Sequence, residues 1–227
     1  MAVQNPERQP KLFLGVFSCH KYKYTNSDLA KDWFTRPKAD RLSGIRNSWL
    51  KDVTCDYKII KGIGDEALRQ PDELFLNCMD DYHHSTDKLR ALIKYTFDRG
   101  YDYLLKVDDD VYVYWDRLMQ NVPTADYVGG GPFGPGDTYC SGATYWLSRR
   151  SMSILLTSPA GCWAEDRWAG EALNRNGIKC AFDTRYHVVK PTRNNQYISD
   201  ADLALPNNYL TLHSLSPDQM RRHHHGH

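Results

Sequence analysis

The first apolar stretch of the chain, Leu12-Phe13-Leu14-Gly15-Val16-Phe17, is short and nearly unbroken, which is the pattern of a buried strand, and it ends at Ser18. A helix is expected over Lys38 to Leu50, where Ile45 and Trp49 lie four apart and basic residues take another face. Cys55-Asp56-Tyr57-Lys58-Ile59-Ile60 reads as a second strand, closed by the turn signal Gly62-Ile63-Gly64. Glu73-Leu74-Phe75-Leu76 reads as a short third. From Ser85, a predicted N-cap, to Arg99, the residues Leu89, Leu92, Ile93 and Phe97 form a helical stripe that Gly100 stops. Tyr103 to Val107 is the fourth strand. This alternation predicts a doubly wound α/β domain with a mainly parallel sheet, whose ligands sit beyond the carboxyl ends of the strands.

The second half is less periodic. Val128-Gly129-Gly130-Gly131-Pro132-Phe133-Gly134-Pro135-Gly136 reads as a loop, in which glycine permits close backbone approach to a ligand or simply unusual dihedrals. Helices are predicted over Ser148 to Leu156 and after Ala164-Glu165-Asp166, where Trp168, Ala172 and Leu173 keep helical spacing. No repeat or linker divides the chain. The expected organisation is an extension over 1–11, one domain over 12–220, and a disordered His-rich tail over 221–227.

The chemistry begins at Lys106-Val107-Asp108-Asp109-Asp110-Val111-Tyr112-Val113, where a buried strand runs straight into three acids. Adjacent carboxylates repel, so such a strand end calls for positive charge. A hard divalent cation supplies it and leaves coordination positions for phosphate oxygens, which points to an enzyme handling a phosphorylated donor. The plainer reading is a solvated acidic turn or a helix N-cap with extra charge. The placement at a strand's carboxyl end favours a site.

Composition narrows the partners. The 29 Lys and Arg nearly cancel the 28 Asp and Glu, which argues against a general binder of nucleic acid or anionic membrane. No apolar run reaches membrane-spanning length, and Met1 to Lys11 reads neither as a signal peptide nor as an anchor. A full-length chain of this kind is expected in the cytoplasm. The cysteines at 19, 55, 78, 140, 162 and 180 show no metal-ligand spacing and leave the disulfide question open.

Taken in order, the motifs resemble glycosyltransferase family 31, the inverting β1,3-galactosyl- and β1,3-N-acetylglucosaminyltransferases and Fringe enzymes. Ser18, Arg41 and Ile45-Arg46-Asn47-Ser48-Trp49 are similar to the family's early Arg-x-Thr-Trp segment, and Asp80-Asp81-Tyr82 with Lys88 to its Asp-x-Tyr and Lys stretch. Lys106 to Val113 resembles the Lys-x-Asp-Asp-Asp motif, and Tyr139-Cys140-Ser141-Gly142-Ala143-Thr144-Tyr145-Trp146-Leu147-Ser148 the Tyr-Cys-Ser-Gly-Gly-Gly-Tyr-Val-Leu-Ser one. Glu165-Asp166 with Gly170, then His213-Ser214 with Pro217-Asp218-Gln219-Met220, complete the series. Arg167-Trp168 and Ala143-Thr144 depart from the family pattern. Members usually carry a membrane anchor and luminal disulfides, so a trimmed chain of this family would belong to the Golgi lumen.

The resemblance implies a single-domain GT-A-type nucleotide-sugar-binding fold and transfer of a hexose or N-acetylhexosamine from a UDP-sugar to a glycan hydroxyl, in β1,3 linkage. Asp110 and His213 would hold Mn²⁺ or Mg²⁺, with Asp108 on the ribose or a metal-bound water and Asp109 beside it. Asp166 would be the general base. A carboxylate near the donor phosphates is expected to keep a low pKa and to rely on positioning. Arg41 and Arg46 would reach uracil or diphosphate, or else lie on a solvated basic face. Ser18 and Lys106 join the donor site, Lys106 bracing the carboxylates. Gly142, Trp146 and Glu165 line the substrate side, though for a lone Trp such as Trp146 the core is the favoured reading. Two other readings remain: the same chemistry on a protein or modified-nucleobase hydroxyl, and a non-catalytic nucleotide-sugar-binding domain.

Overall fold

In the computed structural model, which describes residues 9–19, 38–188, 198–203 and 208–226, the first half follows the expected alternation. Strand β1 (Leu12–Phe17) leads to helix α1 (Lys38–Arg46) and a 3-10 turn at Trp49–Asp52, then β2 (Asp56–Lys61) and β3 (Glu73–Phe75). Helix α2 (Ser85–Asp98) and β4 (Tyr103–Asp108) follow. β1 pairs in parallel with β2 and β4, so Phe17 is level with Ile60 on one side and Asp108 on the other.

Because successive strand residues face opposite ways, β1 and β4 feed two cores. Leu14, Val16, Leu105 and Val107 pack with Trp49, Tyr112 and Trp146 on one face. Phe13, Phe17 and Leu104 pack with Leu89, Leu92 and Trp168 on the other. Lys106 shares the parity of Leu104 and therefore sits on the side of α2.

The second half supplies β5 (Val111–Val113), α3 (Trp115–Met119), β6 (Tyr127–Gly129), β7 (Thr144–Ser148), α4 (Arg149–Thr157) and α5 (Glu165–Arg175). It ends with β8 (Ala181–Phe182), β9 (Tyr186–His187), α6 (Asp200–Leu203), β10 (Thr211–His213) and α7 (Pro217–His225). The main sheet has seven strands in the order β3-β2-β1-β4-β7-β6-β8. β7 is antiparallel to β4 and β6, and the remaining pairings are parallel. A three-stranded sheet, β5-β10-β9, stands beside it. The fold is thus a mixed α/β single domain with helices flanking the sheet.

Three expectations are corrected. The glycine-rich stretch opens as strand β6, with Tyr127 level with Leu147 of β7. Ser85 is the first helical residue and caps nothing; its hydroxyl donates to the Trp163 carbonyl at 2.5 Å. The His-rich tail is ordered through His225. Ser216 and Gln219 form a reciprocal capping box ahead of it, Pro217 takes the first turn, and Met220 is buried. His223 then packs edge-on against Tyr112 and Tyr114, with its Nε2 2.6 Å from the Tyr114 hydroxyl.

Candidate functional site

β4 ends at Asp108 and β5 begins at Val111, so the acids form the turn that joins the two sheets. Each acid meets different company. The Asp108 Oδ1 accepts from Lys106 Nζ at 2.5 Å. Asp109 is buried, and its Oδ1 accepts from Arg41 Nη1 at 3.0 Å. Asp110 has its Oδ1 3.5 Å from His213 Nε2 and its Oδ2 3.9 Å from Arg41 Nη1. His213 reaches it because β10 pairs with β5 in the register His213 to Val111. Ser214 then adopts φ +65°, a left-handed turn that brings the Leu215 N–H to the Asp110 carbonyl at 3.0 Å.

Lys106 ties this strand end to α5. Its Nζ is almost wholly enclosed and donates to Asp108, to the Gly142 carbonyl and to Glu165 Oε1 at 3.0 Å. The Phe17 ring lies 4.8 Å from the same nitrogen. The Gly142 N–H in turn donates to Asp166 Oδ2 at 3.0 Å, and the Arg167 N–H to Asp166 Oδ1 at 2.6 Å. A Cβ at Gly142 would stand 3.0 Å from Glu165 Oε1 and 3.1 Å from Asp166 Oδ2, so glycine allows the carboxylates this close. Gly170, in the same motif, lets α5 press on Tyr139, where an added Cβ would meet the Tyr139 Cβ at 2.2 Å.

Glu165 and Asp166 occupy the first turn of α5, where the helix dipole favours negative charge. Even so, burial and the Glu165 charge push Asp166 up to about 6, against the backbone N–H groups and Lys106. The expected low pKa is reversed: no feature of this pocket outweighs its own desolvation and the neighbouring acid. Asp108 is also raised, by burial first, with Glu165 and Asp110 adding to it against Lys106. Burial lowers the Lys106 pKa, but Asp108 and Glu165 outweigh it and push the ammonium up. His213 is lowered by burial more than Asp110 raises it, so the imidazole is neutral near pH 7 with a lone pair to give. Its Nδ1 and the buried Ser18 Oγ have no hydrogen-bond partner among the described residues. Ser18 closes β1, level with this cluster, and its carbonyl accepts from Lys88 Nζ, which also bonds Asp80 Oδ1 at 2.6 Å.

The structure therefore brings together Arg41, Asp109, Asp110 and His213, and joins Lys106, Asp108, Gly142, Glu165 and Asp166 to one another. Arg46 stands apart, its guanidinium donating to both Asp72 oxygens and to Glu73 Oε1. Trp146 is corrected to a core residue: it is wholly buried and gives its indole N–H to the Tyr186 hydroxyl at 2.8 Å, so no sugar can reach its face. No motif of the sequence marks Trp163, an exposed tryptophan two positions ahead of the Glu165-Asp166 pair; its place in the short loop between α4 and α5 was the available signal.

Among the described residues no cluster of three or more His, Cys, Asp or Glu is arranged to hold a metal ion. Asp110 and His213 offer two donors, one hard oxygen and one imidazole nitrogen. That set suits a divalent ion that takes its remaining ligands from phosphates or water. Cys140, next to Ser141-Gly142, is joined to Cys180 by a disulfide, which settles the pairing that composition left open. No helix among the described residues is long and apolar enough to cross a membrane.

Comparison with known proteins gives a match to the Galactosyltransferase family model over residues 29–127, which supports a glycosyltransferase. Solved structures with a similar chain path include one described as a nucleotide-diphospho-sugar transferase from Desulfovibrio desulfuricans G20. It is 15% identical, with a TM-score of 0.49, over 77% of this chain and 80% of that one. The bifunctional IspDF from Campylobacter jejuni is 14% identical, with a TM-score of 0.47, over 81% of this chain and 50% of that one. The WbbM bifunctional glycosyltransferase is 10% identical, with a TM-score of 0.46, over 80% and 40%. The likeness is distant, and the fold rests on the element order and strand register given above.

Proposed function

We propose that this protein is a metal-dependent inverting glycosyltransferase that moves a hexose or N-acetylhexosamine from a UDP-sugar to a glycan hydroxyl, in β1,3 linkage. One observation carries the reading. Asp110 and His213, which would offer a cation two donors, and the half-buried Asp166 carboxylate belong to two side-chain groups that both start from the acids at the carboxyl end of β4. The Galactosyltransferase match over the segment containing the acids supports it.

Asp110 and His213 would hold Mn²⁺ or Mg²⁺, which when bound neutralises charge gathering on the departing diphosphate. Arg41, already turned toward Asp109 and Asp110, adds fixed positive charge on the donor side. Ser18 Oγ, buried without a partner among the described residues, would hydrogen-bond the nucleoside. Asp166 accepts the proton of the attacking hydroxyl. Its raised pKa suits a base working near neutrality. Each of its oxygens takes one backbone N–H, which fixes the carboxylate plane and leaves lone pairs for the substrate. Attack opposite the leaving diphosphate in one displacement inverts the anomeric centre. Lys106 and Gly142 hold the two halves in register. The Cys140–Cys180 disulfide suits an oxidising, luminal setting.

The test is calorimetric titration of UDP with and without Mn²⁺, followed by UDP-sugar hydrolysis and transfer to a panel of glycosides. Metal-dependent UDP binding with turnover is expected. Metal-dependent binding with no turnover on any acceptor or on water would make the protein a nucleotide-sugar binder, and UDP binding indifferent to metal would remove the cation from the mechanism.

A further inference from the structure

Four large apolar side chains are strongly exposed among the described residues: Ile63, Leu68, Met79 and Trp163. Ile63 and Leu68 follow the carboxyl end of β2, Met79 follows β3, and Trp163 lies just before Glu165-Asp166. Leu68 lies in the 3-10 turn Glu66–Leu68 between β2 and β3, whereas Trp163 stands in the loop that leads into the candidate base.

Trp163 is the most specific of these. Its backbone is held firmly: the Trp163 carbonyl accepts from the Ser85 hydroxyl at 2.5 Å and the Thr86 N–H at 3.3 Å, and the preceding Cys162 carbonyl accepts from the Thr86 hydroxyl at 2.7 Å. The first turn of α2 therefore fixes the loop, yet the indole remains 47% exposed, with the His83 ring edge-on at 6.1 Å. The other tryptophans among the described residues, Trp49, Trp115, Trp146 and Trp168, are buried. A rigidly held, outward tryptophan loses little freedom when a flat ligand covers it. The same first turn of α2 carries Lys88, which bonds the Ser18 carbonyl at the end of β1, so the platform is braced to the candidate donor side. Trp163 lies three positions before Asp166, at most about 11 Å of backbone, which is the reach of one or two sugar rings.

We infer that Trp163 is the stacking platform of an acceptor subsite. The pyranose ring next to the one that presents the attacking hydroxyl lies with its C–H face on the indole. That face of a sugar is apolar and slightly positive, complementary to the negative face of an aromatic ring, while its rim of hydroxyls stays in water. The inference rests on the glycosyltransferase reading and adds to it the side from which a saccharide acceptor of at least two rings approaches Asp166.

The experiment uses the full chain, wild type and Trp163→Ala, Trp163→Phe and Leu68→Ala, with lactose, N-acetyllactosamine and their methyl monosaccharides as probes. With UDP and Mn²⁺ present, saturation-transfer NMR reports disaccharide contact without requiring turnover. The expected result is transfer to the C–H face of one ring in wild type, loss in Trp163→Ala, and recovery in Trp163→Phe. In steady-state assays Trp163→Ala raises the disaccharide KM about tenfold with the donor KM moved less than twofold, and narrows the gap between disaccharide and monosaccharide. Leu68→Ala leaves both constants in place. Undiminished saturation transfer or an unchanged acceptor KM in Trp163→Ala overturns the platform, as does an equal effect of Leu68→Ala. If wild type neither hydrolyses nor transfers any UDP-sugar, the glycosyltransferase reading falls, and the NMR contact still decides whether Trp163 holds saccharide.

Discussion

Replacing Lys106 with methionine keeps the volume of the side chain and removes its charge. In wild type the ammonium is almost wholly enclosed, 2.5 Å from Asp108 and 3.0 Å from Glu165, and it also holds the Gly142 carbonyl. Deleting one partner of a buried ion pair costs about 3–5 kcal/mol, because the charge left behind is uncompensated. Glu165 has a side chain only 12% exposed and carries most of that cost, whereas Asp108, 35% exposed, regains part of its hydration. For a chain of this size about 1 kcal/mol corresponds to about 2–4 °C in Tm, so K106M should melt about 6–20 °C below wild type. The decisive assay is a double-mutant cycle in urea. E165Q removes the stranded charge, so K106M/E165Q should recover at least about 1 kcal/mol relative to the sum of the single changes. A K106M protein within about 1 kcal/mol of wild type, or strict additivity of the two changes, would refute the view that this ion pair holds the strand end to α5.

Asp110→Ala should lose the metal response of UDP binding and weaken the nucleotide at least tenfold, read by calorimetry with and without Mn²⁺. Asp166→Asn should keep UDP affinity within about threefold while transfer drops by about 10²–10⁴-fold, the usual worth of a positioned base; equal loss of both would give Asp166 another role. Since Asp166 must be ionised to accept a proton and sits at about 6, kcat should fall tenfold per pH unit below about pH 6 and level off above it. As linkage, a carboxyl raised in the folded state contributes stability that is full below the unfolded value near 4 and is lost as pH rises through about 6, so D166N should melt higher than wild type at pH 8 and equally at pH 4. Reducing Cys140–Cys180, which are 40 residues apart, frees a loop whose closure is worth about 4 kcal/mol in the chain-entropy account, and a melt with and without reductant measures it.

The first four strands are legible in the sequence because each carries enough of a pattern. β1 and β4 are buried on both faces and read as apolar runs, and α2 shows its stripe at Leu89, Leu92 and Ile93. β8 and β9 have two residues each, too few for any period, and they are strands because β6 and β10 offer them partners. The histidines of α7 look like a frayed tail because their support comes from Tyr112 and Tyr114, more than a hundred residues earlier. Trp146 shows the same limit. A lone tryptophan in a motif favours a core but also suits a sugar, and only the Tyr186 hydroxyl at its indole decides.

The acids are a harder case, since the repulsion that makes them conspicuous is largely resolved within the protein. Arg41 answers Asp109 across 68 positions of sequence, and Lys106 answers Asp108 from the same strand. Two of the three carboxylates therefore need no external cation. Asp110 differs: His213 at 3.5 Å and Arg41 at 3.9 Å both lie beyond ordinary hydrogen-bond length, and the imidazole is held neutral by its burial. A bound cation would thus rest on one carboxylate and the imidazole beside it, not on a run of three acids. Restoring Asp110 as Asn, which keeps the shape and removes the charge, separates the two roles this leaves. If the residue serves only to join β5 to the turn after β10, D110N should keep UDP binding and its metal response; if it holds the cation, D110N should lose both as D110A does.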